Sequence, residues 1–250
     1  MNVSAVVICR DEEKNIEDCL KSLQWCSEII VADSYSKDNT LPIAGRYTDK
    51  IYQNEWKGFS EQRKFALSKA SGEWILSVDA DERCSPELTA EITRLLNKNN
   101  DDRNGYLIPR KSFFLGKLVK HCGWYPDYQL RLFRKNSVTV TDRLVHEGYE
   151  LNGIPGKLEN PLLHYTVNSV SDFAEKINHY SSLSASEKYM NKKISFSYLL
   201  FKPFFEFKKK FVFQGGYRDG ITGLMVSLFH MITKALTYMK MYELQNKKDK

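Results

Sequence analysis

The segment ILSVDADER, residues 75–83, runs an apolar stretch directly into two aspartates one residue apart. Paired carboxylates supply hard oxygen ligands suited to magnesium or manganese, or accept hydrogen bonds from sugar hydroxyls. In extended backbone, side chains two apart project the same way, so Asp79 and Asp81 converge on one ligand if strand geometry continues through Ala80. A metal diphosphate completes its coordination with phosphate oxygens and needs few protein ligands, so two carboxylates are enough to point to a nucleotide. D-x-D by itself is a weak signal, and its place in the fold decides its weight.

The flanking sequence supplies that place. VSAVVIC (residues 3–9) is a continuous apolar run, as a strand covered on both faces requires. Ile16, Cys19, Leu20 and Leu23 then fall at helical spacing, and EIIVADS forms a second strand ending in Asp33 and Ser34. SKDNT makes a turn, LPIAGRY a short helix, KIYQNE a third strand, GFSEQRKFALSKA a helix and SGEWILSVDA a fourth strand. SPELTAEITRLLN follows as a helix with Ser85 as N-cap and Pro86 at its first position. This alternation predicts an α/β fold, a doubly wound open sheet with helices on both faces. In such sheets ligands bind beyond the carboxyl ends of the strands, where Asp33, Asp79 and Asp81 all lie. After residue 105 the pattern changes to strand-like pieces (GYLIPRKSFF, YQLRLFRK, SVTV, NPLLHYT), which predicts a mixed sheet completing the same domain.

Taken in order, VVICRDEEKNI, EIIVADSYSKDNT and QRKFALSKASGEWILSVDADE resemble the nucleotide-sugar-binding half of family 2 glycosyltransferases, which have the GT-A fold. The resemblance covers residues 1–100, and GWYPDYQLRLFRK and RLVHEGY are similar to the bacterial branch that adds glucose to heptose in the lipopolysaccharide inner core. It implies that Ile8, Arg10 and Asp33 hold the nucleoside, with Asp33 accepting from uracil, and that Arg63 lines the nucleotide pocket. It further implies that Asp79 faces the ribose or sugar and that Asp81 holds a Mn2+ or Mg2+ ion bridging the diphosphate of a UDP-sugar. As bare residue types, Asp33 equally well opens the turn SYSKDN, and Arg63 equally well sits on a solvated helix face.

Inverting sugar transfer needs a carboxylate to take the proton of the attacking hydroxyl. The resemblance implies a base after D-x-D, and Glu147 in LVHEGY and Asp127 in GWYPDYQ are the candidates, Glu147 being favoured for its place between Val145 and Gly148. His164 in PLLHYT is either a packed core histidine or a further metal ligand. Arg131 and Arg134 are candidate caps for the diphosphate, while Trp124 and Tyr125 offer ring faces to an acceptor sugar or to packing.

Composition bounds the rest. With 42% hydrophobic and 13% aromatic residues among 250, the chain is globular. Five cysteines without a C-x-x-C pair suggest neither a disulfide framework nor a zinc knuckle, and no basic segment precedes the first apolar run, so a reducing cytosol is expected. The net charge of +6 resides in the tail: residues 186–250 hold 13 Lys/Arg against 5 Asp/Glu. FSYLLFKPFFEFKKKFVF interleaves phenylalanines with lysines, a composition that favours a lipid headgroup layer over nucleic acid. The polar residues His230, Lys234 and Lys240 interrupt the apolar run 221–242, so an amphipathic helix is expected there, its stripe Leu224, Leu228, Met231, Ala235 and Tyr242 serving to pack on the catalytic domain, to dimerise or to graze the bilayer, with packing favoured.

The expected protein is thus a catalytic domain over 1–190 (nucleotide-sugar half 1–100, acceptor half 101–190) with a basic aromatic helical tail over 191–250. It is expected to transfer a hexose from a UDP-hexose, with glucose favoured, to a lipid-linked saccharide. Its expected location is the cytoplasmic face of the inner membrane, held there peripherally by the tail, with a homo-oligomer open and no nucleic-acid partner. The competing expectations are a polyprenyl phosphate or peptide acceptor, and a nucleotide-binding regulator without turnover.

Overall fold

All seven side chains of β1 (Val3–Cys9) are buried, as a strand with helices on both faces requires. The computed structural model describes residues 2–98, 102–141, 148–190 and 193–247. β1 pairs in parallel with β2 (Glu28–Asp33) on one side and β4 (Trp74–Asp79) on the other, and β3 (Ile51–Gln53) extends the sheet beside β2. Alternate residues of β1 enter opposite layers. Val3, Ala5 and Val7 pack with α1 (Ile16–Lys21), α2 (Thr40–Ala44) and α4 (Pro86–Asn97), while Val6 and Ile8 pack with Ala66 of α3 (Phe59–Lys69). The Ser85 hydroxyl accepts from the Leu88 amide, the N-cap expected at α4.

Beyond α4 the sheet becomes mixed. β8 (Asp127–Arg134) lies antiparallel to β4, and β6 (Gly105–Phe114) antiparallel to β8. β5 (Glu82–Cys84), a short strand absent from the sequence-based expectation, starts right after D-x-D and pairs antiparallel with β12 (Leu162–Val167). The sheet order is β3-β2-β1-β4-β8-β6-β12-β5, with β7 (Lys117–Leu118) and β11 (Gly156–Lys157) flanking β6. β9 (Val138–Val140) and β10 (Tyr149–Leu151) form a separate ribbon instead of joining that sheet.

Two compact units share the chain: residues 1–110 with 127–164, and residues 111–126 with 165–250. In the second, α5 (Val170–Lys188) and α6 (Phe196–Lys208) pack on α7 (Gly220–Lys247). Phe114, Val119, Cys122, Val167 and Val226 form its core, so the segment expected to be a tail packs together with residues from the middle of the chain. Gly216 and Gly223 allow this close packing: a Cβ on Gly223 would sit 1.8 Å from the Gly216 carbonyl oxygen, and one on Gly216 would sit 2.6 Å from Cys122 Sγ.

α7 leaves part of its expected stripe uncovered, with Met231 and Ala235 half-buried. Leu224, Leu228 and Tyr242 are exposed, while Thr222, Val226, Ser227, Thr237 and Met241 are buried. By length and composition alone, residues 216–246 are also long and apolar enough to cross a membrane, despite their interrupting charges.

His230, on the same helix, sits 3.5 Å from Glu206 but beside Lys210 and Lys234. Burial first, and the two lysines second, push its pKa from 6.5 down to about 4. The unfolded chain therefore takes up a proton below 6.5 that the folded protein refuses until about 4. Stability is complete above that window and falls as pH drops through it, by on the order of 2 kcal/mol after allowing for partial exposure. Thermal melts at about pH 7 and about pH 5 should show this loss in the wild type and a smaller one in His230→Gln.

Candidate active site

β1, β2 and β4 end together, in the register Ile8 opposite Ala32 and Asp79, and Cys9 opposite Asp33. Asp33 is fully buried and accepts from the Ser36 amide (3.0 Å), the Ser36 hydroxyl and Gln53 Nε2 (3.3 Å). It anchors the turn that SYSKDN was expected to make. Burial and the adjacent Asp33 carboxylate push the Cys9 thiol well up. Asp11 and Ser36, Glu12 and Thr40, and Glu13 and Asp38 then bond across the two loops, fixing the segment after β1 to the segment after β2. Ile8 is buried, and Arg10 is exposed beside Asp11.

Asp79 and Asp81 do not converge. The strand stops at Asp79, Ala80 and Asp81 form a turn, and the Glu82 carboxylate accepts from the Asp79 amide at 2.9 Å. The Asp79 carboxylate takes Arg63 Nη2 at 3.0 Å and Arg131 Nη2 at 2.5 Å. Burial opposes its ionisation, but Arg131 and Arg63 outweigh that and hold the carboxyl far below the ordinary range. Asp81 instead meets His164, with Nε2 at 3.3 Å from Oδ2. The pairing of β5 with β12 makes this contact: His164 lies opposite Glu82, one residue after Asp81.

Glu82, which sequence reasoning missed, is fully buried at the centre of the charges. It accepts from Arg131 Nη2 at 2.9 Å and from Arg110 Nη1 at 3.3 Å. Arg110 in turn binds Asp127, whose other oxygen accepts from Gln129 at 2.8 Å. Burial raises the Asp127 pKa, but Arg110 more than reverses this and holds it below the usual carboxylate value. Arg63 is buried on α3, stacked 5.6 Å from the Tyr149 ring, whose hydroxyl bonds Ser77 at 2.8 Å. It is not the solvated helix residue that its type suggested. The Nε atoms of Arg63 and Arg131 and the hydroxyl of Ser34 are buried without a hydrogen-bond partner.

Arg134 corrects an expectation. β8 runs antiparallel to β4, so Arg134 pairs with Trp74, at the opposite end of β4 from Asp79. There it binds Glu73 and stacks 4.8 Å over Trp74, away from any ligand at the strand ends. Trp124 and Tyr125 belong to the second unit, where Trp124 packs edge-on against Phe114 and Tyr125 is exposed. Glu147 lies outside the described residues. Among the described residues no group of three or more His, Cys, Asp and Glu is arranged to hold a metal ion; Asp81 and His164 offer two donors.

The family model for glycosyl transferase family 2 matches residues 4–146, more than half of the chain. The sequence is 29% identical over 254 residues to the lipopolysaccharide core biosynthesis glycosyltransferase LpsC of Rhizobium meliloti, covering 96% of this chain and 92% of that protein. It is 28% identical over 257 residues to an uncharacterized glycosyltransferase of Rickettsia typhi, covering 98% and 88%. Of solved structures, Staphylococcus aureus TarS (residues 1–349) aligns with a TM-score of 0.48 at 16% identity, covering 99% of this chain and 92% of that one.

Proposed function

The chain belongs to glycosyl transferase family 2, with a GT-A-like α/β fold, and on that premise we propose that it is a metal-dependent, inverting hexosyltransferase. Its donor is a UDP-hexose, with glucose favoured, and its acceptor a lipid-linked saccharide such as heptose of the lipopolysaccharide inner core. The acceptor class follows the similarity to LpsC.

The observation that carries the reading is the partition of charge at the strand ends. Three guanidiniums (Arg63, Arg110, Arg131) are already matched by three carboxylates (Asp79, Glu82, Asp127). A diphosphate arriving there brings negative charge that these arginines have no surplus to neutralise. Asp81 and His164, 3.3 Å apart, are the donors that would hold Mn2+ or Mg2+, a carboxylate with an imidazole suiting manganese best. When bound, such an ion stabilises the charge that grows on the leaving diphosphate.

The chain's own groups would do the rest. Arg63 and Arg131 orient Asp79 toward the ribose or sugar, and each keeps one unpaired Nε–H in the site. Ile8 and Arg10 flank the nucleoside. Asp33 receives the uracil imide in place of Gln53, its most exposed donor. Tyr125 is the ring available to an acceptor sugar, since Trp124 is committed to packing.

Glu147 is the base. The Arg110 ion pair lowers the proton affinity of Asp127 and so makes it the poorer choice. Glu147→Gln should lose about 100-fold or more in transfer while binding UDP normally, whereas Asp127→Asn should retain far more activity. Transfer assayed with a panel of UDP-hexoses and a purified inner-core acceptor tests the reading: no turnover with any of them, at normal UDP binding, would mark a nucleotide-binding protein instead.

A further inference from the structure

The C-terminal helices carry an outer surface whose polarity is the inverse of a water-soluble helix pair. At 3.6 residues per turn, Ile221, Leu224, Leu228, Ile232, Met239 and Tyr242 fall within an arc of about 80° on α7. All six are exposed, Ile221 by 76%. The opposite arc holds Val226 and Met241 together with Thr222, Gly223, Ser227 and Thr237, all buried against the rest of the unit. α6 repeats the pattern: Phe196, Phe201, Phe204 and Phe205 are exposed by 51–81%, and Phe213, just beyond it, by 74%. Lone exposed apolar residues are ordinary; two neighbouring helices turned apolar side outward are not.

From this surface we infer that α6 and α7 lie in the headgroup layer of an anionic bilayer, their apolar faces entering the acyl boundary. The charge beside the apolar residues selects this occupant. Between residues 193 and 218 there are six Lys/Arg and one Glu, and Lys193, Lys208, Lys209 and Arg218 are exposed. Lys202 lies 4.9 Å over the Phe205 ring, keeping its charge at the edge of the aromatic face. A lysine-flanked aromatic face fits a layer of phosphate headgroups over hydrocarbon, whereas a self-complementary dimer would bring the lysines of two copies together.

The same packing argues against a crossing helix. α5 and α6 cover the inner side of α7, and α5, with Asp172, Glu175, Lys176, Glu187 and Lys188, would have to follow it into the hydrocarbon. This inference deepens the proposed function by giving the enzyme a surface on which a lipid-linked acceptor is presented, but its test is independent of turnover.

The experiment is flotation of the full chain with vesicles of phosphatidylcholine alone and with added phosphatidylglycerol. The wild type should float with the anionic vesicles and much less with the neutral ones, and salt should weaken the binding. Phe204→Glu combined with Leu228→Glu, both exposed positions outside the active site, should reduce flotation about tenfold or more while leaving UDP binding and the thermal melt unchanged. A wild type that ignores both kinds of vesicle, or a double variant that floats normally, would overturn the inference. So would a wild-type dimer on a sizing column that the double variant dissolves without any vesicle binding, since the face would then be an interface between copies. Absent UDP binding with intact flotation would instead sink the proposed function and leave this surface standing.

Discussion

Asp81→Asn should reduce sugar transfer by about 100- to 1,000-fold, the cost of losing a group that stabilises charge on a leaving diphosphate. The fold should be almost untouched. Asp81 lies in the turn between β4 and β5 and meets His164 at 3.3 Å, a contact that asparagine can partly keep as a neutral hydrogen bond. The loss should appear in both kcat and donor affinity, because the carboxylate charge acts on bound UDP-sugar before the transition state as well as in it. Steady-state rates at saturating acceptor, with thermal melts as the folding control, check this. His164→Asn should lose less, since an imidazole brings no negative charge to a bound cation.

Glu82→Ala should produce the largest stability loss of any single substitution at the site, about 3–5 kcal/mol. Its carboxylate is fully buried and accepts from Arg131, Arg110 and the Asp79 amide. Removing it strands the buried Arg131 guanidinium with Asp79 alone and frees the turn that separates Asp79 from Asp81. For a chain of this size the change corresponds to a drop in Tm of about 6–20 °C. Glu82→Gln, which keeps one acceptor oxygen but no charge, should lose less. A Glu82→Ala protein melting within about 1 °C of the wild type would show that the network is not a stabilising element.

Much of this architecture was legible because apolar runs and turn chemistry are local signals. VSAVVIC, EIIVADS and WILSV appear as strands where expected, and Ser85 caps α4. What escaped reading was set by tertiary pairing. β5 is only three residues long and is defined by its partner β12, so no local signal brings His164 beside Asp81, although both are candidate metal ligands by residue type. Arg134 and Arg131 are three apart in one strand, and only the antiparallel register with β4 reveals that one reaches Asp79 and the other the far end. Arg63 and Gln62 are buried on a helix whose large apolar residues Phe59, Phe65 and Leu67 are only half-buried, because both side chains reach polar groups of the strands. Sequence patterning assumes that polar means outside, and it fails first where charges are gathered for use. α7 departs from the same assumption in the other direction: it is apolar on both sides, with Val226 and Met241 in hydrophobic clusters and Leu224, Leu228 and Tyr242 exposed.

The central claim is that Asp81 helps hold a divalent cation that in turn holds the diphosphate of the donor. Calorimetric titration of UDP into the wild type and into Asp81→Asn, each with Mn2+ and with chelator, measures it directly. The account predicts binding that manganese strengthens in the wild type and leaves nearly unchanged in the variant. Equal strengthening by manganese in both proteins would contradict it.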